Sequence, residues 1–170
     1  QYAIGRATFR HLTLRVDPRV LIPRPETVLL VDLVLSAQRG GVGTVVDVGT
    51  GSGAIALALA AEGGFDQVHA IDQSADALVV ARENLSAIRP ERRARVVFHH
   101  GLLLEPLRGE RVDTVVSNPP YISRAEAAAL PRLVRDWEPA AALFADDDGT
   151  VYFLARITEN GHSRSDLVTV

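Results

Sequence analysis

The chain contains no cysteine, no methionine and no lysine in 170 residues. Without cysteine there are no disulfides, no thiolate metal sites and no cysteine nucleophile. Arginine supplies all 18 basic side chains; no single mechanism requires lysine to be excluded everywhere, so this reads as genomic composition bias. No apolar run is long enough to span a bilayer. No secretory or transit segment is visible at the start, and there is no repeat or low-complexity tract. The expected compartment is the cytoplasm, with no membrane partner. A formal net charge of -3 argues against nucleic acid held on a broad basic surface. The start at Gln1 and the missing methionine suggest a fragment or trimmed product of a longer protein. What is present, 47% hydrophobic and 23% charged residues, suits one globular domain with a sizeable core.

Phe9 to Val16 alternates, with Leu12, Leu14 and Val16 on one face and His11, Thr13 and Arg15 on the other. This is the pattern of a half-buried strand. Asp17-Pro18 marks a turn, and Val20-Leu21-Ile22 resumes as the expected second arm of a hairpin. In Pro23-Arg24-Pro25-Glu26-Thr27, Pro25 suits a first helical position and Glu26 the positive end of a helix dipole. The helix is expected to carry Leu29, Leu30, Leu33 and Val34 and to stop at Gly40-Gly41. A plain helix entrance leaves Arg24, held between two prolines, without explanation. Beyond it, strands are expected at Thr44 to Val48, Val68 to Ile71, Arg95 to His99 and Val112 to Ser117. Helices are expected at Ala54 to Ala61, after an N-cap at Ser74 up to Pro90, at Ala125 to Arg135 and at Gly149 to Ile157. Alternation with short connections means βαβ units, hence an α/β fold with a mostly parallel sheet flanked by helices.

The first strand of that series ends in Asp47-Val48 and is followed by Gly49-Thr50-Gly51-Ser52-Gly53. Glycines opening a helix after a strand allow a ligand to approach the backbone, and the helix N-terminus offers unpaired N–H groups. Asp72, ~20 residues further on, stands where such folds carry a ribose-binding carboxylate. Two cofactors fit the pattern. Gly49-x-Gly51-x-x-Ala54 satisfies a dinucleotide fingerprint. Asp47-x-Gly49-x-Gly51-x-Gly53 fits a loop for S-adenosyl-L-methionine, with Asp47 where the cationic amino-acid end would come and Asp72 on the ribose hydroxyls.

Asn118-Pro119-Pro120-Tyr121 separates the two. Each proline fixes its own φ and disfavours helix in the residue before it. The chain therefore leaves the fourth strand stiffly, presenting backbone carbonyls, one amide side chain and one aromatic ring. A nicotinamide enzyme has no evident use for this shelf, which favours the second cofactor. Asn118 Oδ1 and the Pro119 carbonyl are suited to accept both N–H bonds of an amide or amine, with Tyr121 packing on the planar group.

With turn, acid and shelf in this order, the chain resembles the Rossmann-like S-adenosylmethionine-dependent methyltransferases acting on amino or amide nitrogen. Val20-Leu21-Ile22-Pro23-Arg24-Pro25-Glu26-Thr27, Tyr2-Ala3-x-Gly5, Val134 to Pro139, and Ala142-Leu143-Phe144 with Gly149 look similar to the release-factor glutamine methyltransferases, the HemK/PrmC family. The resemblance covers about residues 2 to 157. It implies that Gly49, Thr50, Gly51, Ser52, Gly53, Asp72 and Asn118 bind S-adenosyl-L-methionine. It also implies that Asn118, Pro119, Pro120 and Tyr121 receive the glutamine of a Gly-Gly-Gln motif in a peptide-chain release factor, with Asn118 catalytic. The expected division is an N-terminal β-hairpin and linker over 1–25 and a Rossmann-like catalytic domain over 26–170. Rival expectations are an adenine-N6 DNA or RNA methyltransferase, disfavoured by the acidic balance, and a catalytically silent cofactor-binding fragment.

Three departures from the family stand out. Leu102-Leu103 occupies the place where an acidic residue is usual near the adenine. The helical substrate-recognition domain that precedes this region in the family is missing. Thr158 to Val170 does not resemble the expected terminal hairpin, so the last strands are expected to be incomplete unless Leu167 to Val170 supplies one. Elsewhere the plainer readings prevail. His99-His100 reads as a strand end with no metal, Asp146-Asp147-Asp148-Gly149 as a solvated helix entrance, and Arg89, Arg92, Arg93 and Arg95 as a solvated face. Trp137 is expected to wall the site.

Overall fold

Four strands at the centre are all parallel, in the order β5-β4-β3-β6, in a computed structural model of the chain. The structure describes residues 2–37, 43–88, 93–123, 130 and 137–145, and the backbone of 152–159 and 162–169. The expected stops at Gly40-Gly41 and Pro90, the helix at Ala125 to Arg135 apart from Leu130, and Asp146 to Gly149 lie outside the described residues.

The chain begins with an antiparallel hairpin of β1 (Arg6–Phe9) and β2 (Leu12–Arg15). The arms therefore precede the expected place. Phe9 is the last residue of β1, and Val20 to Ile22 form no strand among the described residues. The turn is Arg10-His11, with Arg10 at φ 52°, a position that normally calls for glycine. Its cost is offset by the side chain. The Arg10 guanidinium donates to both oxygens of Glu62 at 2.8 to 3.0 Å and to Asp32 Oδ1 at 2.6 Å. These bonds tie the hairpin to α1 (Val28–Ala37) and α2 (Ala54–Glu62). Asp17-Pro18 does turn, through Val20 N–H to the Asp17 carbonyl, but into an extended linker whose Val20 is buried.

In the central sheet, β3 (Thr44–Val48) pairs with β4 (Gln67–Asp72) on one side and β6 (Thr114–Ser117) on the other, and β4 pairs with β5 (Arg95–His100). Helix α2 is buried along Ala54 to Ala60; its alanines allow close approach to neighbours while Leu57 and Leu59, fully buried, fill the core. Truncating either leucine to alanine costs about 2–5 kcal/mol. Helix α3 (Ala75–Ser86) starts on Ser74, whose Oγ accepts from Ala77 N–H, and buries Leu78 and Ala81 as the stripe predicts. Helix α1 buries Val31 but leaves Leu29 and Leu33 exposed.

After the short α4 (Ala140–Leu143), the expected helix at Gly149 to Ile157 is instead β7 (Tyr152–Glu159), antiparallel to β8 (His162–Thr169). Tyr152, Phe153, Ile157 and Thr158 are strand formers, and Asn160-Gly161, a hairpin dipeptide, stands between the arms. The terminal residues thus supply two strands, hydrogen-bonded to each other as a separate pair.

The strand order decides where a ligand can sit. From β3 the chain winds outward through β4 and β5, then returns to add β6 on the other side of β3. Open α/β sheets bind ligands where the winding reverses, at the carboxyl ends of the two strands that part there. These ends are Val48 and Ser117, which are partners in register and joined by Ser117 Oγ donating to the Val48 carbonyl at 2.8 Å. Gly49 follows one strand and Asn118 the other.

Candidate active site at the strand ends

Gly49 and Gly51 adopt φ of 73° and 54°, and a Cβ on either would point into open space. They present bare backbone at the mouth of the crevice, as a loop that lets a cofactor approach must. Gly53, at φ 83°, is different: a Cβ there would press on Leu57 and Ala81 at 3.0 and 3.3 Å. Its role is close packing of the loop on α2 and α3. Thr50 and Ser52 are buried, with the Thr50 hydroxyl turned inward onto Asp47 and the Ser52 carbonyl onto Asn84.

Asp72 closes β4 with both carboxylate oxygens engaged. Oδ2 accepts from Gly51 N–H at 2.8 Å and Oδ1 from Ser74 N–H at 2.9 Å. Each oxygen retains a further lone pair, so a ribose diol can be accepted while the loop stays held. The open space at Gly49 and Gly51 and this carboxylate fit a ribose-bearing cofactor.

Asp47 turns the other way from its sequence expectation. It is 1% exposed, beneath the loop, where Oδ2 accepts from Thr50 Oγ1 at 2.6 Å and from Ala56 N–H at 3.1 Å. Burial pushes its carboxyl up to about 7, against those two hydrogen bonds. Asp47 shapes the turn from inside and does not present itself to a cofactor's ammonium group. Asn84, which sequence reading passed over, is a second internal brace. From α3 its Nδ2 donates to the Ser52 carbonyl at 2.8 Å and the Arg15 carbonyl at 3.1 Å, while Oδ1 accepts from Arg15 N–H. One buried amide thus joins the hairpin to the glycine loop.

Across the crevice, the shelf borders an open cleft of about 400 Å³ whose lining includes Arg24, Thr27, Asn118, Pro119, Tyr121 and Leu143. Pro120 does not line it. Tyr121 is 65% exposed, available to stack on an entering group. Asn118 Nδ2 donates to Thr27 Oγ1 at 3.3 Å. Ile122 continues from the shelf into a parallel bridge with Phe144, which draws Ala142 and Leu143 to the cleft wall. Trp137, expected there, is instead 58% exposed and outside the lining.

Arg24 now has its explanation. Its guanidinium donates to both oxygens of Glu138, at 2.9 and 2.7 Å, across 114 residues of sequence. The Glu138 side chain is 4% exposed, and its burial raises its pKa against the pull of Arg24. The two prolines hold Arg24 at the angle this pairing needs, and Pro25 opens the 3-10 turn Pro25–Thr27 that enters α1.

At the other edge of the sheet, Leu102 and Leu103 are exposed beyond β5. They follow Gly101, whose N–H bonds the Asp72 carbonyl. His99 is no isolated strand end: His69 Nδ1 lies 2.7 Å from His99 Nε2, and Gln67 Nε2 lies 2.6 Å from His69 Nε2. The three side chains form one hydrogen-bonded row across β4 and β5, each ring nitrogen in it donating or accepting according to its tautomer. Burial lowers both pKa values. Among the described residues no group of three metal-ligating side chains occurs, and no helix is long and apolar enough to cross a membrane.

A doubly wound sheet with a glycine turn, a strand-end acid and an Asn-Pro-Pro-Tyr shelf around one switch point defines a Rossmann-like methyltransferase fold. The sequence matches the family model of the methyltransferase small domain over residues 26–163, and the chain belongs to that family. It is 42% identical over 160 residues to a release factor glutamine methyltransferase of Enterococcus faecalis, covering 94% of this chain and 56% of that protein. It is 44% identical over 160 residues to the protein of that name in Bacillus subtilis, covering 90% and 54%. The chain thus spans about half the length of these curated relatives. Among solved structures, a ribosomal protein L11 methylase from Lactobacillus delbrueckii subsp. bulgaricus superposes with a TM-score of 0.53 at 23% identity, covering 88% of this chain and 79% of that one. A SAM-dependent methyltransferase from Agrobacterium tumefaciens gives 0.54 at 18% identity, covering 70% and 40%.

Proposed function

We propose that the protein transfers a methyl group from S-adenosyl-L-methionine to the side-chain amide nitrogen of a glutamine in the Gly-Gly-Gln motif of a peptide-chain release factor. The observation that carries this reading is the meeting of Gly49 and Asn118 at one switch point, with Asn118 and Pro119 lining the cleft beside it. Its support in sequence is the shared identity with relatives bearing that name. The partner is a protein in the cytoplasm, and nucleic acid is not the substrate.

When bound, S-adenosyl-L-methionine supplies an electrophilic methyl group. The backbone of Gly49, Thr50, Gly51, Ser52 and Gly53 would hold it, Asp72 would accept its ribose hydroxyls, and Asn118 would border its reacting end. An amide nitrogen is a poor nucleophile because its lone pair is delocalised into the carbonyl. Asn118 Oδ1 and the Pro119 carbonyl accept its two N–H bonds, orient the nitrogen and favour the charge it gains in the transition state. Alignment of this kind is worth roughly 7–11 kcal/mol in well-ordered systems. Tyr121 covers the planar amide and excludes water. The proton leaves after methyl transfer, so no dedicated base is needed.

The test is to incubate the purified protein with methyl-labelled cofactor and release factor, in parallel with adenine-containing DNA and RNA. Mass spectrometry should place the label on the Gly-Gly-Gln glutamine. Label on nucleic acid and never on that glutamine would overturn the proposal.

A further inference from the structure

Asp47 and Asp72 stand near the ends of neighbouring strands and both bond the glycine loop, but their carboxyl groups are held in opposite ways. Asp72 takes a donor on each oxygen, Gly51 N–H on Oδ2 and Ser74 N–H on Oδ1, as a charged carboxylate does. Asp47 takes both of its donors, Thr50 Oγ1 and Ala56 N–H, on Oδ2. Its Oδ1 is buried and has no hydrogen-bond partner among the described residues. That arrangement suits a protonated acid, with the hydrogen on Oδ1 and Oδ2 left as the acceptor. In register, Asp47 lies between Ala70 and Val116, and the buried stretch of α2, Ala54 to Ala60, carries no ionisable group. Among the described residues, the charged group that bears on it is Asp72, which has the same sign. A negative charge on Asp47 is therefore costly until a cation comes near.

We infer that Asp47 gives up its proton when a sulfonium ion is seated over the glycine loop, and that this lets the site favour the methyl donor over the thioether left after transfer. This rests on the cofactor of the proposed function and not on its acceptor. The two cofactor forms share a base, a ribose and a zwitterionic amino-acid end; they differ by one methyl group and one positive charge. That charge belongs to the reacting end, at the switch point between Gly49 and Asn118. Asp47 precedes Gly49 by two residues, about 7 Å of strand, and Thr50, between the two bare glycines, reaches its carboxyl directly. Away from bulk water, an opposite charge at such a distance shifts a proton equilibrium at least about tenfold. Asp47 passes from acid to carboxylate and its proton leaves to solvent. It touches neither the cofactor nor the acceptor; it acts through its charge.

The experiment counts protons. S-adenosyl-L-methionine and S-adenosyl-L-homocysteine are titrated by calorimetry at pH 7 into the wild type and Asp47→Asn, in buffers of different ionisation enthalpy. Asp47→Asn keeps an acceptor oxygen for Thr50 and Ala56, and subtracting its values removes every other titrating group, the ligands' amines included. With its carboxyl pushed up to about 7 by burial, Asp47 should release about 0.4–0.5 proton per S-adenosyl-L-methionine bound and almost none per S-adenosyl-L-homocysteine. Binding that releases a proton strengthens as pH rises. The preference for the methyl donor should therefore grow at least about 5-fold between pH 5.5 and 7.5 in the wild type, beyond any change in Asp47→Asn. Infrared difference spectra of the wild type read the carboxyl without the variant. The protonated-carboxyl band should fall with S-adenosyl-L-methionine and persist with S-adenosyl-L-homocysteine. Equal proton release with the two ligands, or an unchanged carboxyl band, would overturn the inference and leave the proposed function standing. A protein that binds neither ligand would overturn both. One that shows the expected proton release yet methylates no glutamine would overturn the acceptor reading alone.

Discussion

The two sides of the crevice are built differently. On the glycine side, the loop is satisfied from within: Gly51 N–H on Asp72, Thr50 on Asp47, Ser52 on Asn84. Its key bond joins residues only 21 apart. On the shelf side, Asn118 makes one long hydrogen bond, to a residue 91 positions away, and the brace behind that residue reaches across 114. The cofactor side is a local device repeated on many sheets. The acceptor side exists only when the N-terminal segment and the Glu138 segment close on β6. On the proposed function, cofactor binding would rest on the first side and choice of the acceptor on the second.

That contrast predicts separable losses. The largest should follow Asn118→Ala: turnover falling at least about 100-fold, as when one preorganised polar group is removed from a transition-state clamp, with cofactor affinity measured by calorimetry falling far less. Near-normal turnover would erase the distinction between the sides. Asp72→Ala should do the reverse. Losing hydrogen bonds to a charged group, about 1.5–3 kcal/mol, should weaken cofactor binding roughly 10- to 100-fold while release-factor binding, followed by surface plasmon resonance, persists.

Next comes the brace. Arg24→Ala leaves a buried Glu138 without its partner. Unpairing a fully buried charge costs about 3–5 kcal/mol, but Arg24 is 35% exposed and water can reach the site, so about 2 kcal/mol is expected in urea unfolding. Adding Glu138→Gln should return most of it. A double variant no more stable than Arg24→Ala would show that the pair is not what holds the turn.

The smallest effect concerns pH beneath the glycine side. Asp47 has its pKa raised from 3.8 to about 7, so between these values the folded state holds a proton the unfolded chain has released. Its contribution to stability is therefore complete below 3.8 and lost as pH rises through about 7. His69 and His99 work in the opposite sense. Their pKa values lie below 6.5 in the folded state, so their contribution is present above 6.5 and lost on acidification. Asp47→Asn should gain on the wild type in urea midpoint as pH rises from about 5 to about 8. A difference independent of pH would mean that Asp47 is ionised throughout.

Legibility in the sequence followed the same divide. Strand, glycine turn and Asp72 were readable because their spacing along the chain is their spacing in the site. The N-cap at Ser74 and the stripe of α3 were readable for the same reason. The N-terminal hairpin was misplaced because its turn, Arg10-His11, carries no turn residue; what stabilises a positive φ at Arg10 is a guanidinium bound to Glu62 and Asp32, on two other elements. The helix expected at Gly149 to Ile157 failed for a nearer reason: Asn160-Gly161 and the strand formers before it were there to be weighed. Asp47 was assigned outward because an acid before glycines looks available, and only the burial of Ala54 to Ala60 against it shows otherwise.

By itself the sequence determined a parallel α/β layering, the glycine turn with its acid, and the stiffness of Asn118-Pro119-Pro120-Tyr121. These follow from backbone restrictions and short-range periodicity, which any few dozen residues express. The tertiary structure decided which groups hold the site from a distance: Glu138 for Arg24, Asn84 for Ser52 and Thr27 for Asn118. Such pairings depend on the strand order, because adding β6 beside β3 sets the two strand ends side by side and brings Asn118 within reach of the turn before α1.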